Sequence, residues 1–181
     1  LTADGYIGTN YHVVQGADAA EIRFFANPLN SDDYQSFNAV KLLYADREKD
    51  IAILKVDATS MPFLECPPGG CRSSVGETAY AIGNPKGLSN TISNGIVSAL
   101  RTDQNEDWIQ HTAAISHGSS GGALVNSRGA LLGMNAWFAD GQNLNFAISA
   151  RHLMEALSSA SRVTAAIAFP PETTADRVET G

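Results

Sequence analysis

Short apolar or alternating runs recur along this 181-residue chain: YIGTNYHVV, EIRFFA, AVKLLYA, DIAILKV, TAYAIG, TISNGIVSAL, WIQHTAAI, GALVN, ALLGMNAWF and LNFAIS. Between them stand turn-forming stretches rich in Gly, Pro, Asn and Asp, such as NPLNSDD, CPPGG, GNPKG, NSRG and ADGQN. Most of these runs are too short to pack as helices, and a period of two buries one face of a pleated strand. Their regular punctuation by turns therefore predicts a β-sandwich or β-barrel. Only SARHLMEALSSA has helical spacing, with Leu153, Met154 and Leu157 on one side and Ser149 placed to cap its start. The Pro pair and polar end of VTAAIAFPPETTADRVETG read as a linker leaving the domain. A break between two halves is expected near DATSMPFLECPPGG.

Composition removes several classes of function. With 44% hydrophobic and 17% charged residues the chain can bury a core. No apolar run reaches the roughly 18 residues that a membrane-crossing helix needs. A formal net charge of -7 argues against a duplex nucleic-acid binder, which neutralises phosphates with clustered Lys and Arg. The opening LTADGYIGTN carries neither an initiator Met nor a signal-peptide pattern, so a fragment is expected. The two cysteines, Cys66 and Cys71, lie in CPPGGC, whose prolines and glycines could bend the chain enough to bridge them. A bridge would imply an oxidising compartment, while two free thiols on a surface loop remain the alternative. Two sulfurs without a second ligand pair do not complete a tetrahedral metal site.

The stretch HGSSGGALVNSRGALLG, His117 to Gly133, concentrates glycines and serines and then continues into a hairpin pattern, so these glycines belong to a fold rather than a linker. Two other motifs precede it. TNYHVV puts His12 at the end of an apolar strand, and DREKDIAILKV puts Asp50 just before a strand that is apolar almost throughout and so expected to be central. Each has a bland explanation alone: a core or rim histidine, a turn aspartate, a Gly-Ser loop. Together they stand in one of the chain orders known for a Ser-His-Asp triad, each beside a strand. The separations, 50 − 12 = 38 and 120 − 50 = 70 residues, leave room for several strands each. The chemistry needs these types. A serine hydroxyl attacks only when a base such as an imidazole takes its proton, and a carboxylate on the far ring nitrogen holds the correct tautomer.

These motifs, with AIGNPKGLSNTISNGIVSALR and WIQHTAAISHGSSGGALVNSRGALLGMN, resemble the trypsin-like serine proteases of the chymotrypsin fold, and most closely the HtrA family. The resemblance implies an all-β fold of two six-stranded-type antiparallel barrels with a short C-terminal helix. Its domain would span 1–160: an N-terminal barrel about 1–62, a C-terminal barrel about 63–148 and a helix about 149–160, with 161–181 an extension or linker. It implies that His12 is the general base, Asp50 its orienting acid and Ser120 the nucleophile, with the backbone N–H groups of Gly118 and Ser120 as the oxyanion hole. Gly118 would take the angles that turn its N–H inward, and Gly121 and Gly122 would allow close approach of strand and substrate. The side-chain pocket would be lined by Ala114 and Ile115, with Met134, Asn135, Trp137 and Phe138 opposite. With no acid on its floor, small to medium aliphatic residues are expected before the scissile bond.

The resemblance further implies polypeptide substrates, unfolded proteins among them, a role in protein quality control, no cofactor and no metal. A homotrimer and a periplasmic or otherwise exported location would be in keeping with it. Nothing after residue 160 is long enough to be the PDZ domain that often follows in this family. Against the usual pattern, His111 and Thr112 replace Thr-Asp, Ser116 and His117 replace Asn-Pro, and Ser119 replaces Asn. His111 and His117 as a metal pair would lack a carboxylate partner. The rival class is a catalytically silent protease fold that acts as a peptide-binding or scaffold module.

Overall fold

The computed structural model describes residues 1–25, 33–67, 70–84, 91–103, 106–139 and 143–172. The expected turns NPLNSDD, GNPKG and ADGQN lie largely outside these residues, as does the chain after 172. Eleven strands and two helices follow one another among the described residues.

The N-terminal half holds β1 (Tyr6–Thr9), α1 (Tyr11–Val14), β2 (Ile22–Phe25), β3 (Tyr34–Phe37), β4 (Lys41–Asp46) and β5 (Ile51–Lys55). Strand β5 lies between β1 and β4, both antiparallel to it, and β2 pairs with β3 in a separate hairpin. The central position expected for DIAILKV is borne out, and the reason is visible in its side chains. Ile51 and Ile53 enter one core while Ala52 and Leu54 enter another, so neither face can be polar.

The C-terminal half is a closed barrel of six strands: β6 (Thr78–Gly83), β7 (Thr91–Asp103), β8 (Glu106–His111), β9 (Ala123–Asn126), β10 (Leu131–Phe138) and β11 (Asn145–Ser149), in the order β10-β11-β8-β7-β6-β9. Its interior is filled by Ala79, Ala81, Val97, Ile109, Leu124, Leu132 and Ala147. Helix α2 (Ala150–Ala160) starts where expected, with Ser149 Oγ accepting from Arg151 N. Its buried face, Leu153, Ala156 and Ala160, joins Leu43, Ile51 and Ile53 of the first half and Leu131, Met134 and Ile148 of the barrel in one core. That shared core fixes the two halves against each other.

Two expectations need adjustment, and one strand was not expected. YIGTNYHVV is not one strand: the chain turns at Asn10, and His12 sits in the four-residue helix α1. Strand β3 forms just after the expected turn NPLNSDD, in YQSF, which no apolar run marks because its side chains are largely exposed. Residues beyond Ser161 do not simply leave: Ile167 N donates to Leu42 O, Phe169 packs on the core of Val14, Leu42, Ala52 and Leu54, and Gly16 N donates to Pro170 O at 2.7 Å. Cys66 and Cys71 form a disulfide.

Candidate active site

Helix α1 begins at Tyr11 without a side-chain cap from Asn10. The orphan N–H of His12 donates instead to Asp50 Oδ1 at 3.0 Å, so a carboxylate 38 residues away does the work of a cap. The same carboxylate meets the imidazole, with His12 Nδ1 2.8 Å from Oδ2 and 3.0 Å from Oδ1. This pairing makes Nδ1 the protonated nitrogen of the neutral ring and leaves Nε2 as the acceptor. The hydrogen bond to Asp50 raises the His12 pKa above its ordinary value; partial burial opposes this and the negative charge of Asp50 adds to it.

Asp50 itself has φ 52, a left-handed conformation that a non-glycine residue adopts at some cost. It closes the turn begun at Arg47, with Asp50 N donating to Arg47 O. Its backbone is also tied to the opposite side of the site. Asn10, fully buried, donates from Nδ2 to Asp50 O at 3.2 Å and accepts at Oδ1 from Gly121 N at 2.6 Å. One side chain thus joins the His12 helix, the Asp50 turn and the residue after Ser120.

The Ser120 loop is shaped by its glycines. Gly118 and Gly121 have φ of 91 and 80, angles that favour glycine. A Cβ on Gly121 would sit 2.7 Å from Thr9 Oγ1, and one on Gly122 would strike Ile82 O. The expected close approach at these glycines is therefore real, and what approaches is the chain itself, from both halves. A turn with Ser119 N donating to Ser116 O presents the loop, and neither Gly118 N nor Ser120 N donates to any described acceptor. Ser120 Oγ donates to Ala136 O at 2.9 Å and makes no hydrogen bond with His12.

A cavity of about 230 Å³ lies behind this loop, lined by Ala114, Ile115, Ser116, Ser119 and Asn135 together with β6 and β7 residues, none of them charged. Of the six residues expected to line a substrate pocket, it gathers Ala114, Ile115 and Asn135. Met134 is turned away and 2% exposed, in the core shared with α2, because successive residues of β10 point to opposite faces. A register shift between Asn135 and Trp137 then sends Trp137 onto Phe146 (rings 4.0 Å apart) and Phe138 against His117 (5.4 Å). His111 is fully buried at the end of β8 with neither ring nitrogen partnered, and burial pushes its pKa down to about 4.

Sequence reasoning missed Asn10. Its one signal, an amide between an apolar strand and His12, is indistinguishable from an ordinary turn residue without the fold.

The trypsin-like peptidase domain family matches residues 1–134. The serine endoprotease DegS of Escherichia coli is 38% identical over 147 residues, which are 77% of this chain and 38% of DegS. A protein of Chlamydia trachomatis named a probable periplasmic serine endoprotease, DegP-like, is 35% identical over 176 residues, 91% of this chain and 34% of that protein. Among solved structures, the HtrA-type protease AlgW with a decapeptide has a TM-score of 0.77 and 34% identity, covering 90% of this chain and 50% of that one. The serine endoprotease from Yersinia pestis has a TM-score of 0.75 and 32% identity, covering 90% and 56%. The chain thus spans about a third of the length of these curated relatives. It belongs to the trypsin-like peptidases, as a protease domain of the HtrA type.

Proposed function

We propose that this chain is the catalytic domain of a serine endopeptidase, with Ser120 as nucleophile, His12 as general base and Asp50 as the group that orients and stabilises it. The observation that carries the reading is the His12–Asp50 pair, its Nε2 left as acceptor, bound through Asn10 to the amide that follows Ser120. Rotation of the Ser120 side chain away from Ala136 O turns its hydroxyl toward that imidazole. Oγ attacks the substrate carbonyl carbon as its proton passes to Nε2, and the resulting oxyanion accepts from Gly118 N and Ser120 N. His12 then gives the proton to the leaving amine, and water hydrolyses the acyl-enzyme by the same route in reverse. Each oxyanion donor is worth roughly a hundredfold to a thousandfold in rate.

The uncharged cavity favours small to medium aliphatic side chains before the scissile bond and offers no counter-charge to Lys or Arg. The relatives' names, and a disulfide that persists in oxidising compartments, support an exported protease acting on polypeptides, unfolded ones included, in protein quality control. The family resemblance extends this to a homotrimer, with domain limits near residues 62 and 160. The silent-scaffold reading has one observation in its favour, the Ser120 hydroxyl bonded to Ala136 O. A fluorophosphonate probe separates the two. Labelling of the wild type that disappears in Ser120→Ala supports the enzyme, whereas a folded domain that takes up peptide but no label is a scaffold. Labelling that survives Ser120→Ala would place the nucleophile elsewhere.

A further inference from the structure

A second cavity, about 390 Å³, lies on the outside of the barrel where the end of β7, the start of β8, the first turn of α2 and the chain after the disulfide converge. Its lining includes Arg72, Ser73, Arg101, Asp107, Trp108 and Arg151. The sequence has eight arginines and a net charge of -7, and three of the eight line this one space. Against their three positive charges the lining supplies one carboxylate, Asp107, and Glu155 pairs with Arg151 from just outside it, so the balance is 3 − 2 = +1.

Arg151 is the neutralised member of the three. It stands in the first turn of α2, where the helix already presents partial positive charge, and that turn contains no acidic residue. Arg151 is held there by Asp107 Oδ2 at 2.6 Å and Glu155 Oε1 at 2.9 Å, which consumes the single carboxylate of the lining. Arg101 spends only Nε, on Gln110 Oε1 at 2.8 Å, and its terminal nitrogens have no described partner. The Arg72 guanidinium has none either, and the Ser73 Oγ is buried and unpartnered. The uncommitted groups are therefore two guanidinium faces and a hydroxyl, which converge beside the positive end of a helix. Arginines grouped so closely repel one another unless something negative lies between them, and planar guanidinium groups match the two oxygens of a carboxylate or phosphate. Trp108 gives the cavity an aromatic wall, which suits the carbon next to a carboxylate.

We infer that this cavity is an oxyanion-binding subsite, in which Arg72 and Arg101 grip a carboxylate or phosphate group. The site is separate from Ser120 and stands whether or not Ser120 is reactive.

The test is a titration of the ¹⁵N-labelled domain at low ionic strength with inorganic phosphate in one arm and N-acetylglycine in the other. It follows the Arg72 and Ser73 amides and the Trp108 indole N–H. Saturable shifts at these positions are expected in one arm or both, and the tighter arm names the source of the oxyanion. Arg72 and Arg101 are exposed, so the double variant Arg72→Ala/Arg101→Ala keeps the fold, which its melting temperature checks. It should weaken binding by at least ~10-fold, the scale of losing charge-assisted contacts. Shifts absent from both arms, equal shifts with sodium chloride, or unchanged affinity in the double variant would each overturn the inference.

Discussion

In the C-terminal half six strands close on themselves, and every strand has a partner on both sides. Among the described residues of the N-terminal half only β5 is so enclosed; β1 and β4 lie at the edges of its sheet, and the chain reaches back from beyond α2 to place Ile167 against Leu42 and Phe169 on the core that holds Val14. The candidate nucleophile loop belongs to the closed half, His12 and Asp50 to the open one, and Asn10 joins them. A closed barrel has no unpaired edge to fray and holds the loop that carries Ser120 in place. An open sheet opens locally at lower cost, so His12 and Asp50 depend on contacts that come from outside their own sheet. The C-terminal segment that reads as a departing linker is one of those contacts.

Two of the four histidines sharpen this contrast: His12 in the open half and His111 in the closed half have pKa values that shift in opposite directions. The largest effect expected in this set is on chemistry. His12→Ala should lower turnover of an unstructured polypeptide by about 10⁴-fold or more while the denaturation midpoint changes little, since this ring is about half exposed. Next comes His111, in the closed half. Its pKa is about 4 in the fold against an ordinary 6.5, so the unfolded chain takes up a proton that the folded one refuses as the pH falls below 6.5. The stability it supports is complete above 6.5 and declines toward pH 4 by about 3 kcal/mol, at 1.36 kcal/mol per unit. Urea denaturation at pH 7 and pH 4.5 checks this, and His111→Thr should flatten the difference. His12 has the opposite sign: its raised pKa stabilises the fold fully below 6.5, and that contribution disappears as the pH rises through the folded value.

Smaller effects fall on the joint and on the open half. Asn10→Ala leaves the Asp50 carbonyl without its side-chain donor and the Gly121 amide with Asn135 O alone, so the halves lose their link, and should cost about 2 kcal/mol. It should also slow Ser120 labelling more than an equally destabilising change in the barrel core does. Phe169→Ala, at a half-buried site, should cost only about 1 kcal/mol. Hydrogen exchange locates that cost: protection should fall at Val14 and Gly16 and stay unchanged at Leu132 and Ala147.

The strands of the barrel were legible because alternation and turn residues report burial directly, and TAYAIG coincides with β6 residue for residue. So was α2, whose Ser149 cap and apolar face are local signals. Helix α1 was hidden inside an apolar run because Tyr11, His12, Val13 and Val14 have the composition of a strand, and the carboxylate that caps them is 38 residues away. Met134 was misplaced because which face of β10 meets the cavity depends on the strands and helix packed around it, and the register shift that redirects Trp137 and Phe138 depends on the partner strand; a single run of residues contains neither. The residues proposed for chemistry were readable as types in a known order. The amide that joins them, Asn10, was not, because its partners come from two other segments.

The proposed triad requires the open half and the closed half to meet as one catalytic unit. The most direct measurement is the rate of fluorophosphonate labelling at Ser120 across pH 5 to 9, in the wild type and in Asp50→Asn. The wild-type rate should fall as the pH drops through a midpoint above 6.5, because a protonated His12 cannot accept the serine proton, and Asp50→Asn should lower the plateau by about 10⁴-fold. A rate indifferent to pH in this range, or equal in the two proteins, would contradict it.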